Sequence, residues 1–153
     1  MQDKIYTLHH QDKHCKARTG EIKLGHGVVQ TPAFMPVGTN GTVKGIYHDK
    51  VKEMGYNLIL GNTYHLYLRP GTEVLKKFDG LHKFSNWDGN FLTDSGGFQI
   101  FSLNKLRKIY DEGIKFQSHI DGSRHEFTPE KVVDIQQIIG SDIAMMLDVC
   151  SPP

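Results

Sequence analysis

The stretch Asn90-Phe91-Leu92-Thr93-Asp94-Ser95-Gly96-Gly97-Phe98-Gln99 decides how the chain is read. Four residues of strand character run into an acid, a serine, two glycines and an aromatic ring. The same plan recurs on either side. Asn57-Leu58-Ile59-Leu60 stops at Gly61-Asn62-Thr63, and Ile143–Leu147 stops at Asp148-Val149-Cys150. Upstream, Ala33-Phe34-Met35-Pro36-Val37 opens into the glycine-punctuated loop Gly38–Thr42. Apolar runs without polar alternation suit strands buried on both faces, as in a parallel sheet. Helical segments fall between them: Asp49–Met54 ended by Gly55, Thr72–Phe78, and a helix begun by Thr128-Pro129 and ended by Gly140. Thr128 suits an N-cap, Pro129 the first helical position, and Gly140 the stop. Val132, Val133, Ile135, Ile138 and Ile139 give that helix its apolar spacing.

Strand, loop and helix in repetition predict an α/β fold with a parallel sheet and covering helices. The sheet is either an open doubly wound one or a closed (β/α)₈ barrel. No Gly-x-Gly-x-x-Gly follows the first strand, so the dinucleotide-binding fingerprint is missing. A barrel takes roughly 250 residues. The 153 residues here accommodate about four of its eight strands, and the chain ends directly after an apolar strand. The expectation is therefore a partial TIM barrel over residues 31–153, truncated, behind a small antiparallel β segment over residues 1–30.

In that first segment, Lys16–Arg18 and Glu21–Leu24 predict a hairpin turning at Thr19-Gly20, with a second turn at Gly25-His26-Gly27. Val28–Gln30 then leads into Thr31-Pro32. A further hairpin, Lys115–Ile120 with His125–Thr128 around Asp121-Gly122-Ser123, is expected as an insertion between strand and helix.

Composition excludes several classes. Hydrophobic residues make up 38% and charged residues 23%, the balance of a globular chain rather than a disordered one. No run of ~18 apolar residues exists, so no membrane helix is expected, and the first ten residues lack a signal-peptide core. A formal net charge of +1 argues neither for nor against a nucleic-acid partner; any basic footprint has to be local. Cys15 and Cys150 stand far apart and outside any metal-ligand spacing, which points to a reducing, cytoplasmic setting. His9, His10 and His14 cluster, but lack a well-spaced fourth ligand for zinc.

In a barrel the carboxyl ends of the strands form the active-site face. Asp94 and Asp148 would meet there, and two carboxylates in different surroundings can divide proton transfer from substrate anchoring. Gly96-Gly97 lets a flat ligand or another backbone come close. Phe98 offers a ring on which a base would stack, worth roughly 1–3 kcal/mol. An ionised Asp148 would accept hydrogen bonds from a guanine-like edge. Each feature also has a plain structural explanation: Asp as a cap, Gly-Gly as a turn, Phe98 as core, His65 as a satisfied histidine. From the residues alone, the reading ends at a barrel-type enzyme site.

Resemblance carries further. Thr31-Pro32-Ala33-Phe34-Met35-Pro36-Val37-Gly38-Thr39, Leu60-Gly61-Asn62-Thr63-Tyr64-His65-Leu66, Thr93–Gln99 and Leu147–Cys150 resemble, in order and spacing, the tRNA-guanine transglycosylases, over nearly the whole chain. The resemblance implies a (β/α)₈ barrel with a late zinc-binding insertion. It also implies a double displacement at the ribose carbon of the wobble nucleotide, through a covalent enzyme–RNA intermediate. The target base would have to leave the RNA stack. Asp94 corresponds to the general acid/base, and Ser95 lies beside it in the base pocket. Phe98 takes the stacking position, where many relatives have tyrosine. Asp148 would read the guanine edge, Asn62 would orient Asp94, and Gln99 and Cys150 would line the pocket. Cys150 with Val37 resembles the bacterial pattern, which accepts 7-aminomethyl-7-deazaguanine. The loop Thr39, Asn40, Gly41 to Lys44 corresponds to a homodimer contact. The implied partners are tRNA with a GUN anticodon and a 7-deazaguanine base.

The family's nucleophilic aspartate, the glycine and glutamine completing guanine recognition, and the Cys₃His zinc ligands would lie beyond Pro153. Zinc is thus expected in the whole protein, with no ligand from this chain, and the fragment alone is expected to be inactive and poorly stable. Two other readings compete. One is a non-catalytic RNA-binding or dimerising subunit of the same family, for which retention of Asp94, Asp148 and Phe98 would be superfluous. The other is an unrelated barrel enzyme acting on a phosphorylated metabolite.

Overall fold

The computed structural model describes residues 4–103 and 106–148. Three small sheets are present among them. The first is antiparallel, in the order β1 (Tyr6–Gln11), β2 (Arg18–Leu24), β3 (Gly27–Thr31). The second is parallel: β4 (Leu58–Gly61), β5 (Asn90–Thr93), β9 (Ile143–Ala144). The third is antiparallel and lies in sequence between β5 and β9: β6 (Arg107–Tyr110), β7 (Gly113–Gln117), β8 (Arg124–Phe127). Among the described residues the fold is mixed α/β without a closed barrel.

The hairpin expected to turn at Thr19-Gly20 is corrected. β2 runs straight through both residues and pairs with β1 on one side and β3 on the other. The turn that exists is the second one predicted, at Gly25-His26. Gly20 sits in mid-strand because a Cβ there would lie 2.4 Å from the Thr7 carbonyl oxygen and 2.6 Å from the Tyr6 hydroxyl. Glycine inside a strand marks close approach as readily as a turn.

Ala33–Val37 is also not the expected buried strand. Val37 forms a single parallel bridge to Leu60, flanked by hydrogen bonds from Gly38 N to Leu60 O (2.7 Å) and Leu60 N to Pro36 O (2.9 Å). Phe34 is 71% exposed. The last strand is shorter than predicted, with only Ile143 and Ala144 on the ladder, although Met145 N still donates to Thr93 O at 3.2 Å.

Helices fill the connections. α1 (His48–Glu53) precedes β4. After β4 come α2 (Thr63–Leu66), a kinked turn over Tyr67–Gly71, and α3 (Thr72–Lys77). The kink falls where Arg69 (φ −157°, ψ 117°) precedes Pro70, since a proline drives its predecessor out of helical geometry. α4 (Leu81–Ser85) leads to β5, and α5 (Gly97–Phe101) follows it. α6 (Pro129–Ile139) matches its sequence signals. Thr128 Oγ1 accepts from Lys131 N at 3.2 Å, and Gly140 ends the helix at φ +75°. Its buried face is Val132, Ile135, Gln136 and Ile139; Val133, expected in the core, is exposed. With Leu66, Leu75, Leu81, Phe91, Ile100 and Phe127, this face closes the core.

At the amino ends of β5 and β9 a polar interlock fastens the first sheet to the second. Asp142 accepts from His26 Nδ1 (2.7 Å), His82 Nε2 (3.1 Å) and the Phe91 backbone N–H (2.8 Å). Asn90 accepts from His26 N at 3.1 Å, and Asn57 Nδ2 donates to Val28 O at 2.7 Å. No helix among the described residues is long and apolar enough to cross a membrane.

Candidate active site

The site is assembled by the register of the parallel sheet. Gly61 pairs with Thr93 at the carboxyl ends of β4 and β5, so the next residues, Asn62 and Asp94, come side by side. Asn62 Nδ2 donates to Asp94 Oδ2 in a short hydrogen bond. Thr63 N donates to Oδ1 at 2.9 Å, and Gln99 Nε2 to Oδ2 at 3.0 Å. Thr63 Oγ1 donates to the Asp94 carbonyl at 2.5 Å. The carboxylate is thus held by three neutral amide groups, with no cation bonded to it among the described residues. Three donors on two oxygens fix the orientation of the carboxylate.

A second acid comes from the neighbouring strand. Asp148 follows β9, which pairs with β5. Ser95 Oγ donates to Asp148 Oδ1 and accepts from Gly97 N at 3.1 Å and Asp148 N at 3.4 Å. Ser95 is 2% exposed. Gly97 is required here: a Cβ would lie 2.2 Å from the Asp148 carbonyl oxygen. Gly96 takes φ +80°, the left-handed region open to glycine, and it caps α5. Asp94 and Asp148 therefore stand at one end of one sheet, joined through Ser95.

Gln99 Oε1 is buried without a hydrogen-bond partner among the described residues. A buried acceptor in that state is costly unless a ligand or further chain donates to it. Phe98, in the first turn of α5, is 62% exposed, and Val37 is 57% exposed; neither ring nor side chain is used up by the core. Cys150 lies outside the described residues. In the Thr39–Lys44 loop, the Thr39 carbonyl accepts from Asn62 N at 3.3 Å. Gly41 is buried at φ +83° against Leu81, while Asn40 and Lys44 are exposed.

A sequence profile of the family described as queuine tRNA-ribosyltransferase matches residues 12–153. The chain belongs to that family. Among curated relatives of the same name, the protein of Treponema denticola is 61% identical over 147 residues. That of Caldanaerobacter subterraneus is 59% identical over 147 residues, 96% of this chain and 39% of the relative. That of Desulforamulus reducens is 60% identical over 142 residues, 93% of this chain and 38% of the relative. The chain thus spans about two fifths of the length of the curated relatives it matches.

Two groups at this site escaped the sequence reading. Thr63 supplies both a backbone and a side-chain bond to Asp94; its signal was its place two residues after the end of β4, the strand paired with β5. Gln136 is 1% exposed on the core face of α6. Its Oε1 accepts from Thr93 Oγ1 (2.7 Å) and Met145 N (3.0 Å), and its Nε2 donates to Met145 O (2.8 Å). It stitches the ends of β5 and β9 just below the two acids. A glutamine at the buried spacing of an amphipathic helix was the available cue. His65 stands nearby, its pKa lowered by burial first and by His119 second, against an opposing pull from Asp94. His119 Nδ1 and the Tyr64 hydroxyl are 2.7 Å apart.

For a metal ion, the described residues offer one group of three, His26, His82 and Asp142, with ligand atoms all within 4.8 Å of one another. The two imidazoles stack 3.6 Å apart at 16°. An imidazole lone pair lies in the ring plane, so nearly parallel stacked rings do not aim at a common ion. They meet the two oxygens of the carboxylate instead. The group does not fit zinc.

Proposed function

We propose that this chain supplies the base-handling rim of a tRNA-guanine transglycosylase. The whole enzyme exchanges guanine at the wobble position of tRNA with a GUN anticodon for 7-aminomethyl-7-deazaguanine, a step of queuosine synthesis. The observation that carries the proposal is the Asp94 clamp: a carboxylate fixed by Asn62, Thr63 and Gln99, with a second acid, Asp148, on the adjacent strand end.

In this reading Asp94 moves the proton of the leaving and incoming bases. The three donors fix the carboxylate in one orientation at the open end of the sheet, and a fixed position within reach of the base is what a proton-transfer group needs first. Asp148, with Ser95, accepts from the N–H edge of the purine, and Gln99 Oε1 takes a further donor. Phe98 stacks on the base, flipped out of the RNA. The nucleophile that attacks the ribose carbon is an aspartate of the remaining barrel, as in retaining glycoside chemistry. The parallel order Val37–β4–β5–β9, in which each strand lies beside its predecessor without reversal, favours a quarter to a half of a (β/α)₈ barrel over a doubly wound sheet. Loop Thr39–Lys44 is a contact for a second copy of the enzyme.

The test is incorporation of labelled guanine into tRNA bearing guanine at the wobble position, using the full-length protein. Wild type exchanges the base and Asp94→Asn does not. Undiminished exchange in that variant overturns the acid/base role. A wild-type protein that binds tRNA but never exchanges the base returns the chain to the non-catalytic subunit reading.

A further inference from the structure

The inserted sheet carries a feature that the base pocket does not use. An open groove of about 580 Å³ is lined by Arg107, Lys108, Lys115, Arg124 and Lys131, with Tyr67 at its edge. Against these five cations the lining has one acid, Glu126. The local excess of four positive charges stands out in a chain whose formal net charge is +1. None of the five is in an ion pair among the described residues. Three sit over aromatic rings: Arg107 on Phe101 (3.9 Å), Lys115 on Tyr110 (5.1 Å) and Lys131 on Tyr67 (5.5 Å). Lys108 and Lys115 are directly paired across β6 and β7, and Glu126 of β8 is paired with Lys115 on its other side, so one acid faces two lysines in this row.

The groove is linked to the Asp94 end of the parallel sheet by one packed pair of rings. Phe116, which lines the groove, packs on Tyr64 with ring centroids 5.5 Å apart. Tyr64 follows Thr63, whose backbone holds Asp94. A strand and helix scaffold therefore fixes the cations relative to the acid. Arginine forks match phosphate oxygens, and lysines add point charges.

We propose that this groove binds phosphodiester groups of the RNA that flanks the target nucleotide. The proposal rests on the transglycosylase reading above for the identity of the polyanion. It makes β6–β8 an RNA-positioning insertion rather than a mere cover over the core.

The test uses the full-length protein and the double variant Lys115→Glu/Arg124→Glu, both exposed strand residues. A milder Lys115→Gln/Arg124→Gln pair keeps the question open to test should the reversal disturb folding, and Lys23→Glu on β2 is the control. Affinity for tRNA is read by fluorescence anisotropy between about 50 and 200 mM salt. The reversal is expected to weaken binding at least about tenfold at the low end and to flatten the log–log salt slope by roughly one to two. The KM for tRNA rises, while kcat and the KM for free base stay within about twofold; Lys23→Glu changes nothing. Unchanged affinity and slope in both groove pairs, with exchange intact, overturns the groove and leaves the transglycosylase standing. Loss of tRNA affinity in a protein that exchanges no base supports the groove and overturns the transglycosylase reading instead.

Discussion

Two aspartates stand at opposite ends of the same parallel sheet. Asp142, at the amino end of β9, has a side chain 3% exposed and meets two imidazoles and a backbone N–H. Asp94, at the carboxyl end of β5, is half-buried and meets three neutral amide donors. The first has partners able to carry positive charge; the second is oriented by neutral amides. The first acid fastens two sheets together, and the second is held in one orientation at an open strand end. The difference lies in the partners, since the residue type is the same.

The largest effect should come from the open end. Asp94→Asn in the full-length protein is expected to lower guanine exchange by about 10²–10⁴-fold, the usual worth of a general acid/base, with little change in unfolding midpoint. Equal losses of stability and turnover would break the contrast. At the closed end, Asp142→Ala leaves two imidazoles and an N–H without their acceptor. A loss of about 2–4 kcal/mol in urea unfolding is expected, and the folded fraction should keep its exchange rate. A smaller effect is expected where the rim is tightest. Gly97→Ala drives a methyl group into the Asp148 backbone and should cost about 1–3 kcal/mol, read chiefly as a raised KM for the base.

The smallest effects are those of pH. Burial pushes the Asp142 pKa upward, but hydrogen bonds from His82, His26 and the Phe91 N–H outweigh it, so the pKa is lowered. Its contribution is then fully present above the unfolded carboxyl value near 3.9 and is lost as pH falls through the folded value. Asp142→Asn should flatten the acid limb of the stability curve below about pH 4. His65 behaves differently at the rim. Its lowered pKa means the unfolded chain takes up a proton first as pH drops below about 6.5. His65→Gln should remove a slight loss of stability between there and pH ~5; an unchanged profile would remove His65 from the account.

Where the signals are local, the sequence was legible. α6 has its cap, proline, periodicity and terminal glycine within a dozen residues, and the structure follows them. β4 and β5 were found from their uninterrupted strand-forming runs. Thr19-Gly20 misled because a glycine needed for close contact with Tyr6 and Thr7 on the neighbouring strand, more than ten residues away in sequence, looks locally like a turn. β6 was missed because Arg107-Lys108-Ile109-Tyr110 has little apolar pattern of its own and is a strand only beside β7. Asp94, Asn62, Ser95, Gln99 and Asp148 were all named from their motifs, and they fall into two hydrogen-bonded groups joined at Ser95. Thr63 and Gln136 were not, since their roles depend on neighbours 31 and 43 residues away.

By itself the sequence determined β4, β5 and α6, the strand ends on which chemistry is placed, and the family. Those follow from short-range propensity and motif spacing, which a linear chain displays directly. Only the tertiary structure decided that Asp142 is enclosed by two stacked histidines while Asp94 is left among amides, and that five scattered cations share one groove. Register and packing bring those groups together, and the free energy of a charge depends on what surrounds it in space.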